Sequence, residues 1–117
     1  MGEMSDQHDE RARRIGVNEG LFRDMNEQLK GLAEQFELDD KLLLVCECGY
    51  RDCEQRIRVP AEQYEQIRAD PRFFAVVPGH ELKDVEAVVS ERDGYNVVKK
   101  HEGTPARVAR ETDPRSD

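Results

Sequence analysis

All three cysteines of this 117-residue chain fall within one eight-residue stretch, Cys46-Glu47-Cys48-Gly49-Tyr50-Arg51-Asp52-Cys53. A buried free cysteine can serve as a small hydrophobe, and that role suits Cys46. It leaves Cys48 and Cys53 without a purpose. Thiolates that converge are metal ligands, and His80, on the Pro78-Gly79-His80 turn, adds an imidazole. Three sulfurs and one ring nitrogen complete a tetrahedral set for zinc, so the expected fold is one organised around a metal.

The spacing can be checked against strand geometry. Residues two apart on an extended strand project to the same side, which directs Cys46 and Cys48 at one point. Zn–S bonds of about 2.3 Å demand that the sulfurs converge closely. The loop Gly49-Tyr50-Arg51-Asp52 is long enough to swing Cys53 back to them, with Gly49 expected to supply turn freedom. His80 starts a loop after a strand, where it can close a site built by a neighbouring hairpin. His101 or a water is the substitute fourth ligand. His8 lies in the polar N-terminal stretch and is set aside.

Residues 10–36 carry Phe22, Met25, Leu29, Leu32 and Phe36 at alternating spacings of three and four, the stripe of an amphipathic helix. Gly16, Gly20 and Gly31 each weaken that helix by about 1 kcal/mol relative to alanine. Leu42-Leu43-Leu44-Val45 reads as a buried strand running into Cys46, and Gln55-Arg56-Ile57-Arg58-Val59 as its hairpin partner. Pro60 suits the first turn of a short helix carrying Ala61, Tyr64 and Ile67 on one face, ended by Asp70-Pro71. Phe73–Val77 is a third strand, and Val85–Val89 and Tyr95–Val98 flank Asp93-Gly94 as a terminal hairpin. The predicted fold is α+β, with a long N-terminal helix, a small antiparallel sheet, one short helix and a stabilising zinc. Residues 10–101 form its single domain. Residues 1–9 and 102–117 are polar, lack periodicity and are expected to be disordered tails.

A chain of this length buries only a modest core. With 37% apolar and 6% aromatic residues and no tryptophan, it gains from a structural metal. The formal net charge of −8 repels phosphate backbones and disfavours nucleic-acid binding. No apolar run reaches the roughly 20 residues needed to span a bilayer, and the first residues lack the basic and apolar segments of a signal peptide. Clustered thiols then suggest a reducing, cytoplasmic setting.

Other chemistries use the same donors. A Cys3His iron–sulfur cluster is one, and the CxC opening is similar to that of CDGSH-type iron–sulfur proteins, although their histidine follows soon after the third cysteine and His80 lies far downstream. Cys46 or Cys48 as a nucleophile with His80 as base is another, but no orienting third member stands out. Zinc thiolates can also be oxidised with release of the metal, which would make a redox sensor. Arg51 would lower thiolate pKa values, while Glu47, Asp52 and Glu54 oppose it. Should the long helix project from the domain, its stripe would serve a homodimer or another protein partner. Arg11, Arg13 and Arg14 at its start form a basic cluster read as a solvated face.

Leu21-Phe22-Arg23-Asp24-Met25-Asn26-Glu27, the CxC-bearing strand, the segment from Pro60 to Phe73 and the Pro78-Gly79-His80 turn together resemble a group of small actinobacterial proteins of unknown function. The resemblance spans most of residues 11–100. It implies no activity, only the metal ligands Cys46, Cys48, Cys53 and His80. The expectation is a non-enzymatic zinc-binding module acting through protein–protein contacts, with a regulatory role.

Overall fold

The computed structural model describes residues 2–35 and 41–115. In chain order these form α1 (Gly2–Gln35), β1 (Lys41–Val45), β2 (Arg56–Pro60), α2 (Ala61–Arg68), β3 (Phe73–Val76), β4 (Glu86–Glu91), β5 (Asn96–Lys100) and α3 (Thr104–Glu111). The fold is α+β, as predicted.

The hydrophobic alternation of Leu42 and Leu44 against Ile57 and Val59 sets the register of the β1–β2 hairpin, in which Leu42 pairs with Val59 and Leu44 with Ile57. These four side chains, with Tyr64 and Ile67 of α2 and Ala75, Tyr95 and Val97, make the main core cluster. The strands divide into two sheets rather than one: β1–β2, and β3-β5-β4, antiparallel throughout. Asp93-Gly94 turns the β4–β5 hairpin as expected, with Gly94 at φ +86°, a conformation that favours glycine. Pro60 immediately precedes α2, where its fixed φ suits a helix entrance.

α1 is a single helix, but it turns a different face inward from the one its hydrophobic stripe suggests. Met25 is 42% and Leu32 51% exposed, and Leu29 alone of the stripe packs against the main core. Phe36 lies outside the described residues. The buried positions are Ala12, Ile15, Gly16, Glu19, Gly20, Arg23 and Asn26. The cause is α3, which packs along α1. A Cβ on Gly16 would sit 2.7 Å from Val108 Cγ1, and one on Gly20 would sit 2.7 Å from Thr112 Oγ1. The two glycines are therefore the contact surface for a second helix, not weak points in the first.

α3 lies within the stretch that composition assigned to a disordered tail. It begins with Thr104-Pro105 and is strongly amphipathic, burying Pro105, Ala106, Val108 and Ala109 while Arg107, Arg110 and Glu111 face outward. α1 likewise starts at Gly2, ahead of the boundary expected near residue 10. Thr104 Oγ1 donates to Asp9 Oδ1 at 3.2 Å, linking the two helices.

Buried charge adds to apolar packing between α1 and the sheets. Lys100 Nζ lies 2.5 Å from Glu19 Oε1 and 3.0 Å from Glu86 Oε1, all three side chains fully buried. Burial, followed by repulsion from Glu86, pushes the Glu19 carboxyl well above the usual carboxylate range. Arg23 donates to the carbonyls of Pro71 at 2.6 Å and Ala109 at 2.8 Å and to Thr112 Oγ1 at 3.1 Å, tying α1 to the start of β3 and to α3.

Candidate metal centre

The site grows from the continuation of β1. Beyond Val45 the chain stays extended: Cys46 N–H donates to Gln55 O at 3.0 Å, prolonging the pairing with the β2 side, and Glu47 N–H donates to Ala75 O at 2.9 Å on β3. The Cys46-Glu47-Cys48 segment thus bridges the two sheets. Alternation sends both sulfurs into a buried cluster with Phe74, Val76, Val98 and Ala109. Cys53 returns through a turn closed by its own N–H on Tyr50 O at 3.1 Å. Gly49 is required here, though for space: a Cβ would sit 2.6 Å from Ile15 Cγ2 and 2.9 Å from Leu82 Cδ1. On the other side, Gly79 adopts φ +95° and His80 N–H donates to Val77 O at 2.9 Å, so that the imidazole turns back towards the thiols.

One donor atom from each of Cys46, Cys48, Cys53 and His80 lies within 4.8 Å of all the others. His80 Nδ1 is 3.7 Å from Cys46 Sγ and 3.6 Å from Cys53 Sγ. Bonds of about 2.3 Å to sulfur and about 2.0 Å to nitrogen in a tetrahedron separate such donors by roughly 3.5 Å, so these atoms need little movement to share one ion. All three cysteines are free. Val77 N–H donates to Cys46 Sγ at 3.1 Å, and the Tyr50 ring meets the His80 ring edge-on at 5.7 Å between centroids. Such outer contacts orient ligands.

The thiols differ sharply in acidity. The Cys48 thiolate, stabilised first by the Cys46 thiol and then, after burial has opposed it, by His80, is pulled down to about 5. Cys46 is pushed up, chiefly because it donates to Cys48 and is buried, and burial also raises Cys53. Three sulfurs and one imidazole converging on one point can seat a cation. Cys46 and Cys48 are buried, whereas Cys53 and His80 are partly exposed and border a surface cavity of about 770 Å³ that also touches Tyr50, Asp52 and Arg56.

All four candidate ligands named from the sequence are brought together. His101, the substitute, is elsewhere, with Nε2 3.0 Å from Lys83 O, and His8 is exposed on α1. Among the described residues this is the one cluster of its kind. No family model, curated protein or solved structure matches the chain.

Glu47 was missed as a site residue. Fully buried between two ligands, it points away from the sulfurs and accepts from Asn26 Nδ2 at 2.7 Å, Arg68 at 2.8 Å and Ala75 N–H at 3.0 Å. Asn26 also brackets Val45, accepting from its N–H at 2.8 Å and donating to its carbonyl at 2.9 Å. The ligand strand is therefore clamped to α1, α2 and β3 through one carboxylate and one amide. The signal was present: alternation that aims Cys46 and Cys48 one way must aim Glu47 the other, and a carboxylate on a buried strand needs a cationic partner.

Proposed function

We propose that Cys46, Cys48, Cys53 and His80 hold one structural zinc ion in a non-enzymatic cytoplasmic module that works through protein contacts in a regulatory role. The observation that carries this reading is the convergence of four protein donors on one point. Four protein ligands leave no open coordination position, the mark of a structural rather than a catalytic zinc. The tight grouping favours a single ion over a cluster, whose several irons would hold the ligand pairs farther apart. The free thiols accord with a reducing compartment. No helix among the described residues is long and apolar enough to cross a membrane. A role in contacts, including a homodimer through α1, is supported by the outward row of Val17, Leu21, Met25 and Leu32, each at least 42% exposed.

A redox-sensing role is the second reading, favoured by the partial exposure of Cys53 beside a surface cavity. Elemental analysis of the protein as purified, alongside Cys48→Ser, tests the first reading. One zinc per chain, lost in the variant, is expected. A metal-free protein, or a brown one with visible absorbance, would overturn it. Release of zinc by mild peroxide with a change of oligomeric state would select the redox reading.

A further inference from the structure

We infer that the hollow between the first half of α1 and the loop carrying Cys48 and Cys53 binds a phosphate monoester. Arg11, Arg13 and Arg14 of α1 and Arg51 of the loop line a surface cavity of about 590 Å³ whose wall contains no acidic residue. In a chain with 26 acidic and 18 basic residues, four guanidinium groups around one cavity are a local concentration of positive charge. Arg11 is held by Asp84 at 2.9 Å, and Arg14 stands 3.5 Å from Glu10 with both side chains well exposed. Arg13 and Arg51 make no ion pair among the described residues. These two supply uncompensated charge from two different elements, and the planar guanidinium matches the oxygens of a phosphate in pairs.

The rest of the wall selects an ester over a bare ion. Val17 is 48% exposed and lies beside the arginines, offering apolar surface to an organic body. Asn18 Nδ2 donates to Gly49 O at 3.3 Å and ties the helix to the loop. Arg51 is carried by the four-residue loop between Cys48 and Cys53, so closure of that loop by a metal would help hold it in the hollow with Arg13. In that respect the inference rests on the zinc reading. A nucleic acid is not the ligand this hollow fits, because the basic residues form one pocket rather than a track along a backbone.

Calorimetric titration of the full chain as purified with phenyl phosphate, and with benzenesulfonate as a singly charged counterpart, tests the site. Saturable 1:1 binding of phenyl phosphate is expected, tighter than benzenesulfonate and weakened by added salt. Arg13→Gln and Arg51→Gln should each reduce the affinity on the order of tenfold, with zinc content and circular dichroism unchanged. Arg58→Gln, an exposed arginine on β2 away from the hollow, should leave it unaltered. Absence of saturation, or equal losses in all three variants, would overturn the site. Zinc-loaded protein that ignores phenyl phosphate discards the anion site and leaves the metal reading standing. Protein that carries no metal, yet binds phenyl phosphate and loses it in Arg51→Gln, keeps the anion site and discards zinc.

Discussion

The clamp behind the ligand strand gives the sharpest test of how the metal site is built. Glu47 and Arg68 are 0% and 1% exposed at their side chains, with 2.8 Å between Oε1 and the guanidinium. Glu47→Leu strands the Arg68 charge in the interior and removes the acceptor for Ala75 N–H and Asn26. Breaking a buried pair from one side costs about 3–5 kcal/mol. Arg68→Met strands Glu47 instead, with Asn26 and Ala75 still donating to it, and should cost about 3 kcal/mol, at the lower end of that range. The double variant contains neither charge. Its remaining penalty is chiefly the unmet N–H of Ala75, roughly 1–3 kcal/mol for a buried group, because Asn26 Nδ2 keeps the Val45 carbonyl. The two losses should therefore fall short of additivity by at least about 2 kcal/mol.

Urea unfolding of the zinc-saturated proteins measures this directly, with equal m-values required before the midpoints are compared. A competition titration with a chromophoric chelator adds a second readout. Glu47→Leu should weaken metal affinity by roughly 10–100-fold, the usual effect of disturbing groups that orient ligands, and the added Arg68→Met should restore part of it. Additivity within about 0.5 kcal/mol, the behaviour of independent sites, would show that Glu47 and Arg68 are not energetically paired and refute the clamp.

Cys53→Ala should lower stability by several kcal/mol, because metal binding and loop closure are coupled; an unchanged melting temperature would count against a structural ion. Gly16→Val would force a side chain into Val108, whose Cγ1 already lies 2.7 Å from the position of a Cβ, costing about 1–3 kcal/mol; Val108→Ala should relieve part of that loss in thermal unfolding. Glu65 is pulled down to about 2 from its ordinary 4.5, first by hydrogen bonds from Arg115 and, after an opposing effect of burial, from Lys30. Its folded pKa is depressed, so its stabilising share is complete above about pH 4.5 and fades as pH falls towards 2. The stability difference between the parent and Glu65→Gln should shrink over that interval, and a pH-independent difference would contradict the assignment.

What the sequence disclosed divides along a physical line. Strands were legible because the short apolar run Leu42 to Val45 and the period-two alternation of Arg56 to Val59 both report burial. The donor cluster was legible because thiols have few reasons to gather in one stretch. The inward face of α1 was not, because Glu19, Arg23 and Asn26 are polar residues that enter the core only where partners meet them. Those partners, Lys100, Glu47 and the Ala109 carbonyl, are remote in sequence. A hydrophobic stripe cannot report a face built from charges and glycines. α3 was hidden for a related reason: its buried side chains are alanine, valine and proline, too small and too few to stand out among Arg107, Arg110 and Glu111.

The alternation of Cys46, Glu47 and Cys48 then acquires a meaning beyond ligand spacing. One extended segment presents two sulfurs to the candidate ion on one face and a carboxylate to Asn26, Arg68 and Ala75 on the other. Movement of the strand that relaxes the thiols must also disturb the carboxylate, whose partners belong to α1, α2 and β3. A buried charge tolerates such a shift poorly. Metal occupancy and the packing of α1 are thereby linked through three consecutive residues. Loss of the ion should loosen the helix against the sheets before it unfolds the β1–β2 hairpin, whose own ladder and apolar pairs lie on the far side of Val45. Hydrogen exchange on metal-free protein should show this as earlier deprotection of Glu19 to Asn26 than of Leu42 to Leu44, and the reverse order would place the coupling elsewhere.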